Sequence, residues 1–149
     1  MNRHQFISAA ASAASAVAVG AGSPIAASGF RGRMTTYRDT GCSCCEQWVG
    51  LARRAGYAVA LHDLDRAERI RRFALTEETA GCHTTQIDGY LIEGHVPLDI
   101  VARLLHERPK TRGIGIPGMP TGIAGMGGIR PASTKVLTLD ARPRIYARV

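Results

Sequence analysis

Three of the chain's four cysteines fall within four residues, in Gly41-Cys42-Ser43-Cys44-Cys45-Glu46-Gln47-Trp48. The stretch follows a short strand candidate and opens a helical pattern. A helix N-terminus carries partial positive charge and unpaired N–H groups, which favours thiolate over thiol. Thiolate is the nucleophile of disulfide exchange and a ligand for soft metals, so the chemistry here is redox or metal binding. Cys42-Ser43-Cys44-Cys45 contains a C-x-x-C, the spacing of a dithiol redox centre at a helix start. It also holds a third sulfur, which a two-electron exchanger does not need. Three crowded thiolates repel one another without a cation, and thiolates select Cu(I) or Zn(II). Structural disulfides are the bland alternative, although a bridge between the neighbours Cys44 and Cys45 would be strained.

The elements that must position these sulfurs follow from periodicity. Met34 to Tyr37 is β-branched and aromatic and reads as a first strand. A helix is predicted from Cys45 to Ala55, with Trp48, Leu51, Ala52 and Ala55 inward and Gly56 closing it. Ala58 to His62 reads as a second strand. Asp63 or Asp65 caps a second helix through Phe73, with Ala67, Ile70 and Ala74 inward. Cys82 to Ile87 and Tyr90 to His95 read as two strands joined by the Asp88-Gly89 turn. Pro97 opens a third helix whose apolar face is Leu98, Val101, Ala102 and Leu105. The order β-α-β-α-β-β-α belongs to an α/β, thioredoxin-like single domain. From Arg112 to Pro131 the chain is a long Gly/Pro/Met loop, which suggests function rather than scaffold. Lys135 to Asp140 and Arg144 to Val149 form a predicted C-terminal hairpin.

In that arrangement the loop entering the third strand faces the start of the first helix. It would bring Cys82 and His83 to the cysteine cluster from far away in sequence. His95 ends the return strand at the same edge of the sheet. Met119 and Met126 lie on the Gly-rich loop without apolar periodicity, and thioether is a soft ligand that suits Cu(I) better than Zn(II). The rival reading packs these methionines on the domain as plugs. His62 and His106 read as structural or surface residues.

At 149 residues the chain allows one domain. The formal net charge is +7, mostly from arginine. The runs Arg69/Arg71/Arg72 and Arg142/Arg144/Arg148 alternate with apolar residues and read as solvated faces. No nucleic-acid motif or aromatic interleaving accompanies them, so no nucleic-acid partner is expected. Residues 1–28 read as a signal peptide: a short basic start, then a charge-free Ala/Ser/Val/Gly run with small-residue cleavage sites after Ala18 and Ser28. The run is too weakly hydrophobic for a stable membrane span. Export would place the mature domain, 29–149, in an oxidising compartment, expected to be a bacterial periplasm.

Four separated motifs stand in order: Cys-x-Cys-Cys-x-x-Trp-Val, Cys-His-Thr, Gly-Tyr-x-x-Glu-Gly-His-Val-Pro and Pro-Gly-Met-Pro-x-Gly. Together they resemble the CopG-type copper-resistance family, exported proteins with a metal-binding CxCC motif, over about Met34 to Met126. The resemblance implies a thioredoxin-like fold, a periplasmic address and copper as the bound cofactor. It carries onto Cys42, Cys44, Cys45, Cys82, His83, His95, Met119 and Met126. Ser43 stands where the family usually has Gly. Gly122 to Gly127 lacks the family's Ser-Pro and acidic residue, which makes Met126 a weaker match than Met119. The implied partners are copper ions and other periplasmic copper-handling proteins. The expected function is Cu(I) binding, of one ion or several, with redox cycling between Cu(I) and Cu(II) open to it. The rivals are a thiol-disulfide oxidoreductase using Cys42 and Cys45, and a structural zinc domain.

Overall fold

The computed structural model describes residues 29–149; the expected signal peptide lies outside them. The order is β1 (Gly32–Arg38), α1 (Ser43–Arg54), β2 (Tyr57–Asp63), α2 (Arg66–Arg72), β3 (His83–Ile87), β4 (Tyr90–Glu93), α3 (Leu98–Glu107), β5 (Gly113–Gly115), β6 (Lys135–Thr138) and β7 (Ile145–Arg148). All seven strands form one mixed sheet in the order β2-β1-β3-β4-β5-β6-β7. β1 runs parallel to β2 and antiparallel to β3, and β3 runs antiparallel to β4. Among the described residues no helix is long and apolar enough to cross a membrane.

The expected elements are present, most with ends shifted by one or two residues. α1 starts two residues early, at Ser43, because Cys42 caps it: the Cys45 N–H donates to Cys42 Sγ at 3.3 Å. Asp65 caps α2 by accepting from the Ala67 and Glu68 N–H groups. Two expectations need correction. The Gly/Pro/Met loop contains a strand, β5, which pairs parallel with β4 and antiparallel with β6. Two of its three residues are glycines, which are depleted in strands, and it is extended because ladders on both sides satisfy its backbone. The inward face of α2 is also different. Ala67 and Ala74 are exposed, and the helix's fully buried residue is Arg69.

Successive residues of a strand point to opposite faces of the sheet. His83 meets the ring of Trp48 on α1, with centroids 4.9 Å apart, while the next residue, Thr84, meets Arg69 on α2. So α1 covers one face and α2 the other. On the α1 side Met34, Trp48, Val49, Ile92, Val96, Val101, Leu104, Ile114 and Val136 form the apolar core with α3. Each large apolar side chain buried there contributes about 1.5–3 kcal/mol. The consequence for chemistry is positional. The end of β1, the start of α1 and the start of β3 meet at one corner of the sheet, where Arg38 pairs with His83 and the Asp39 N–H donates to the Cys82 carbonyl at 3.0 Å.

Candidate metal centre

That corner collects all four cysteines. The sulfurs of Cys42, Cys44, Cys45 and Cys82 all lie within 4.8 Å of one another. Cys42 and Cys45 are joined as a disulfide, and Cys44 and Cys82 are free. Cys44 Sγ is 3.4 Å from Cys42 Sγ and 3.9 Å from Cys82 Sγ. Cys45 is fully buried, with its sulfur 3.5 Å from the Cys82 carbonyl oxygen.

Cys82 belongs to a second group. Its sulfur is 3.2 Å from His95 Nε2 and 3.5 Å from His83 Nδ1, and the three ligand atoms also lie within 4.8 Å of one another. The two rings meet edge to face, with centroids 5.0 Å apart. Both imidazoles are buried, and burial pushes both pKa values down, His83 far below the ordinary value of 6.5. They are therefore neutral at pH 7, the form that can ligate a metal. Burial and the neighbouring Cys44 push the Cys82 thiol up to about 12. Its resting form is the thiol.

The Gly-rich loop fixes one of these rings. His95 Nδ1 is 2.7 Å from the Ala124 carbonyl oxygen. A carbonyl only accepts, so Nδ1 carries the proton and Nε2 presents its lone pair to Cys82. Orienting one ring nitrogen through the other is the usual device of a ligating histidine. The loop reaches this far because Gly125 lets it lie on α1: a Cβ there would stand 2.8 Å from the Trp48 backbone nitrogen, at a φ of +77°. Trp48 in turn donates from Nε1 to the Val96 carbonyl at 2.8 Å, tying α1 to the segment just after His95.

The second group passes a simple test of fit. His83 Nε2 is buried and has no hydrogen-bond partner. Such an orphan costs about 1–3 kcal/mol and calls for an explanation. The group's one thiol and two neutral imidazoles match the donor preferences of copper and zinc.

The methionines stand apart from this pattern. Met119 is 56% exposed, at the rim of an open groove of about 360 Å³ whose lining includes Asp39, Arg66 and Cys82. Met126 is half-buried against the core beside Ser43 and Gln47 of α1. His62 and His106 are exposed, as expected.

Sequence reasoning missed the charged residues under the site. The alternation of charged and apolar residues predicts a solvated face for Arg69, yet it has no exposed surface. Its guanidinium donates to Asp39 Oδ1, Thr84 Oγ1, Glu93 Oε1 and the Gly81 carbonyl at 2.7–3.2 Å. Glu93, also fully buried, accepts from the Gly81 N–H at 2.7 Å and from the Thr84 hydroxyl at 2.5 Å. Burial pushes the Glu93 carboxyl up, against the pull of Arg69, Thr84 and the Gly81 amide. The pair thus grips both ends of the Gly81 backbone, one residue from Cys82. The signal for it was faint: Glu93 stands in the Glu-Gly-His motif, but nothing local pairs it with Arg69, 24 residues away.

A family described as a protein of unknown function, DUF411, matches residues 79–126. Two solved structures of a copper resistance protein, CopG, are similar to this chain. Its form 2 is 31% identical, with a TM-score of 0.71, over 78% of this chain and 97% of that one. Its form 1 is 30% identical, with the same TM-score, over 78% and 96%. No curated protein matches the chain significantly.

Proposed function

The chain belongs to the CopG-type copper-resistance family, and from that premise we propose that it is a periplasmic copper-binding protein of copper tolerance. Its reduced cysteine cluster would hold Cu(I), as one ion or several. The observation that carries this reading is convergence. Four sulfurs and two neutral imidazoles share one corner, with Cys82 common to both groups and His83 Nε2 left without a partner. Thiolate suits Cu(I), while imidazole accommodates both Cu(I) and Cu(II). A mixed S/N set therefore permits cycling between the two, which an all-sulfur set would resist.

Cys44, Cys82, His83 and His95 offer their ligand atoms in either redox state. Cys42 and Cys45 join them only when reduced, because bridged sulfurs carry no thiolate charge. Copper loading and the state of this pair are therefore linked. Met119 would be an outer thioether on the open side, and Met126 a weaker contributor held against the core. The β2-β1-β3-β4 order, one parallel pair and an antiparallel hairpin, supports the thioredoxin-like reading. The charge-free segment before residue 29 supports export, and other periplasmic copper-handling proteins are the natural exchange partners.

The test is an anaerobic titration of reduced protein with Cu(I) against a chelating competitor. The Cys42→Ser/Cys44→Ser/Cys45→Ser variant should lose the tight binding. Equal binding by the two proteins would sink the proposal. His83→Ala and His95→Ala should change the affinity or the spectrum of bound copper while the fold survives.

One observation favours a second reading. The Cys42–Cys45 disulfide at the cap of α1 is the arrangement of a thiol-disulfide oxidoreductase. Cys44→Ser separates the two. An exchanger keeps its disulfide reductase activity in that variant. A copper site loses affinity tenfold or more, about 1.4 kcal/mol.

A further inference from the structure

The disulfide between Cys42 and Cys45 leaves two thiols that a C-x-x-C exchanger has no use for. Cys44 and Cys82 come from different elements, 38 residues apart, yet their sulfurs are 3.9 Å apart. Cys44 is half-buried on the first turn of α1, and Cys82 is only 5% exposed at the start of β3. Cys82 is among the residues lining an open groove, and Cys44, whose sulfur is 3.9 Å from it, is only half-buried, so a small molecule can reach the corner. Cys82 also has a proton acceptor in place. His95 Nε2 is 3.2 Å from its sulfur, and the Ala124 carbonyl holds the ring in the tautomer that accepts. A thiol beside a base that a third group orients is the arrangement of an activated nucleophile.

We propose that Cys44 and Cys82 form a second redox-active dithiol, distinct from Cys42–Cys45, whose oxidising substrate is a low-molecular-weight disulfide. The copper reading is not needed for this. In the first step the Cys44 thiolate attacks one sulfur of the small disulfide. Its S–S bond breaks, a mixed disulfide forms on Cys44, and one small thiolate leaves. In the second step Cys82 gives its proton to His95 Nε2 and attacks Cys44 Sγ. The Cys44–Cys82 bond forms, the mixed disulfide breaks, and the second small thiolate leaves with the proton from His95. Two protein thiols are oxidised and one small disulfide is reduced to two thiols. With Cys42–Cys45, the cluster then stores four electrons rather than two.

The proposal also gives the loop a role beyond packing. Ala124 acts on Cys82 only through His95, so it is a positioning group, whereas His95 touches the reacting sulfur. His95→Asn should slow the second step without preventing the first.

The experiment uses metal-free protein with chelator present, so its outcome is independent of copper binding. The Cys42→Ser/Cys45→Ser variant, with Cys44 and Cys82 as its remaining cysteines, is treated with oxidised glutathione. Free thiols are counted and peptides are mapped by mass. The expected result is loss of both thiols, a Cys44–Cys82 cross-link, and a mixed disulfide on Cys44 seen only in passing. Adding Cys82→Ser should trap that mixed disulfide. Adding His95→Asn should prolong it at least tenfold, and the glutathione adduct should still convert to the cross-link. Wild type, fully reduced beforehand and treated in parallel, should lose all four thiols and show both cross-links, which covers the case of a variant that fails to fold. A stable adduct on Cys44 in the variant that retains Cys82, or two thiols persisting in wild type, would overturn the assignment.

Discussion

Glu93→Gln is the sharpest test of how the corner is held. Glu93 has no exposed surface, and its two carboxylate oxygens accept from Arg69 Nη1, the Gly81 N–H and the Thr84 hydroxyl, all at 2.7 Å or less. An amide of the same shape turns one acceptor into a donor facing a donor, and it removes the charge opposite a buried guanidinium. Removing one partner of a buried pair costs about 3–5 kcal/mol. Asp39, 30% exposed, still shares Arg69, so the lower end, about 3 kcal/mol, is the expected value. Against a total stability of about 5–15 kcal/mol this is a large fraction. A urea slope of about 2 kcal/mol per molar turns it into a midpoint shift of about 1.5 M. Trp48 is the chain's single tryptophan and lies in the core, so its fluorescence reports the transition in metal-free protein. A shift under about 0.5 M for Glu93→Gln, equivalent to about 1 kcal/mol, would refute the reasoning.

Three further outcomes follow from the same corner. The buried imidazoles are held neutral below the ordinary value of 6.5, so the unfolded chain binds more protons in acid; stability is full above that pH and falls as pH drops toward the folded pKa values. The urea midpoint of metal-free protein should therefore fall between pH 7.5 and 5.5, and a midpoint that stays flat over that range would contradict it. The Cys82 thiol, near 12, must lose its proton to bind copper. Apparent Cu(I) affinity should therefore rise by about tenfold per pH unit between pH 6.5 and 8.5, and competition titrations showing no slope would count against Cys82 as a ligand. Gly125→Ala forces a side chain into the Trp48 backbone in the left-handed region and should cost about 1–3 kcal/mol. By lifting the loop it should also free His95 from Ala124 and weaken copper binding by about 10–100-fold; unchanged affinity in a folded variant would show that the loop does not orient the ring.

The sequence by itself determined what depends on near neighbours. The cysteine triplet at the start of α1 was legible because spacing, the cap and the helical period all lie within a dozen residues. The β3–β4 hairpin was legible because Asp88-Gly89 sets its turn locally, and it delivered Cys82, His83 and His95 to the right edge once the strand order was assumed. Tertiary structure alone decided the rest. β5 is a strand because β4 and β6 flank it, not because Gly-Ile-Gly prefers extension. Arg69 has the same local pattern as its exposed neighbours Arg71 and Arg72, and no periodicity separates them. It is buried because Thr84 of β3, Glu93 of β4 and Asp39, just past the end of β1, replace its water. The His95–Ala124 bond spans 29 residues and involves a backbone carbonyl, which every residue possesses. Which carbonyl meets the ring is therefore invisible in the residue types. It is set by how closely a glycine lets the loop approach α1, a property of three-dimensional packing.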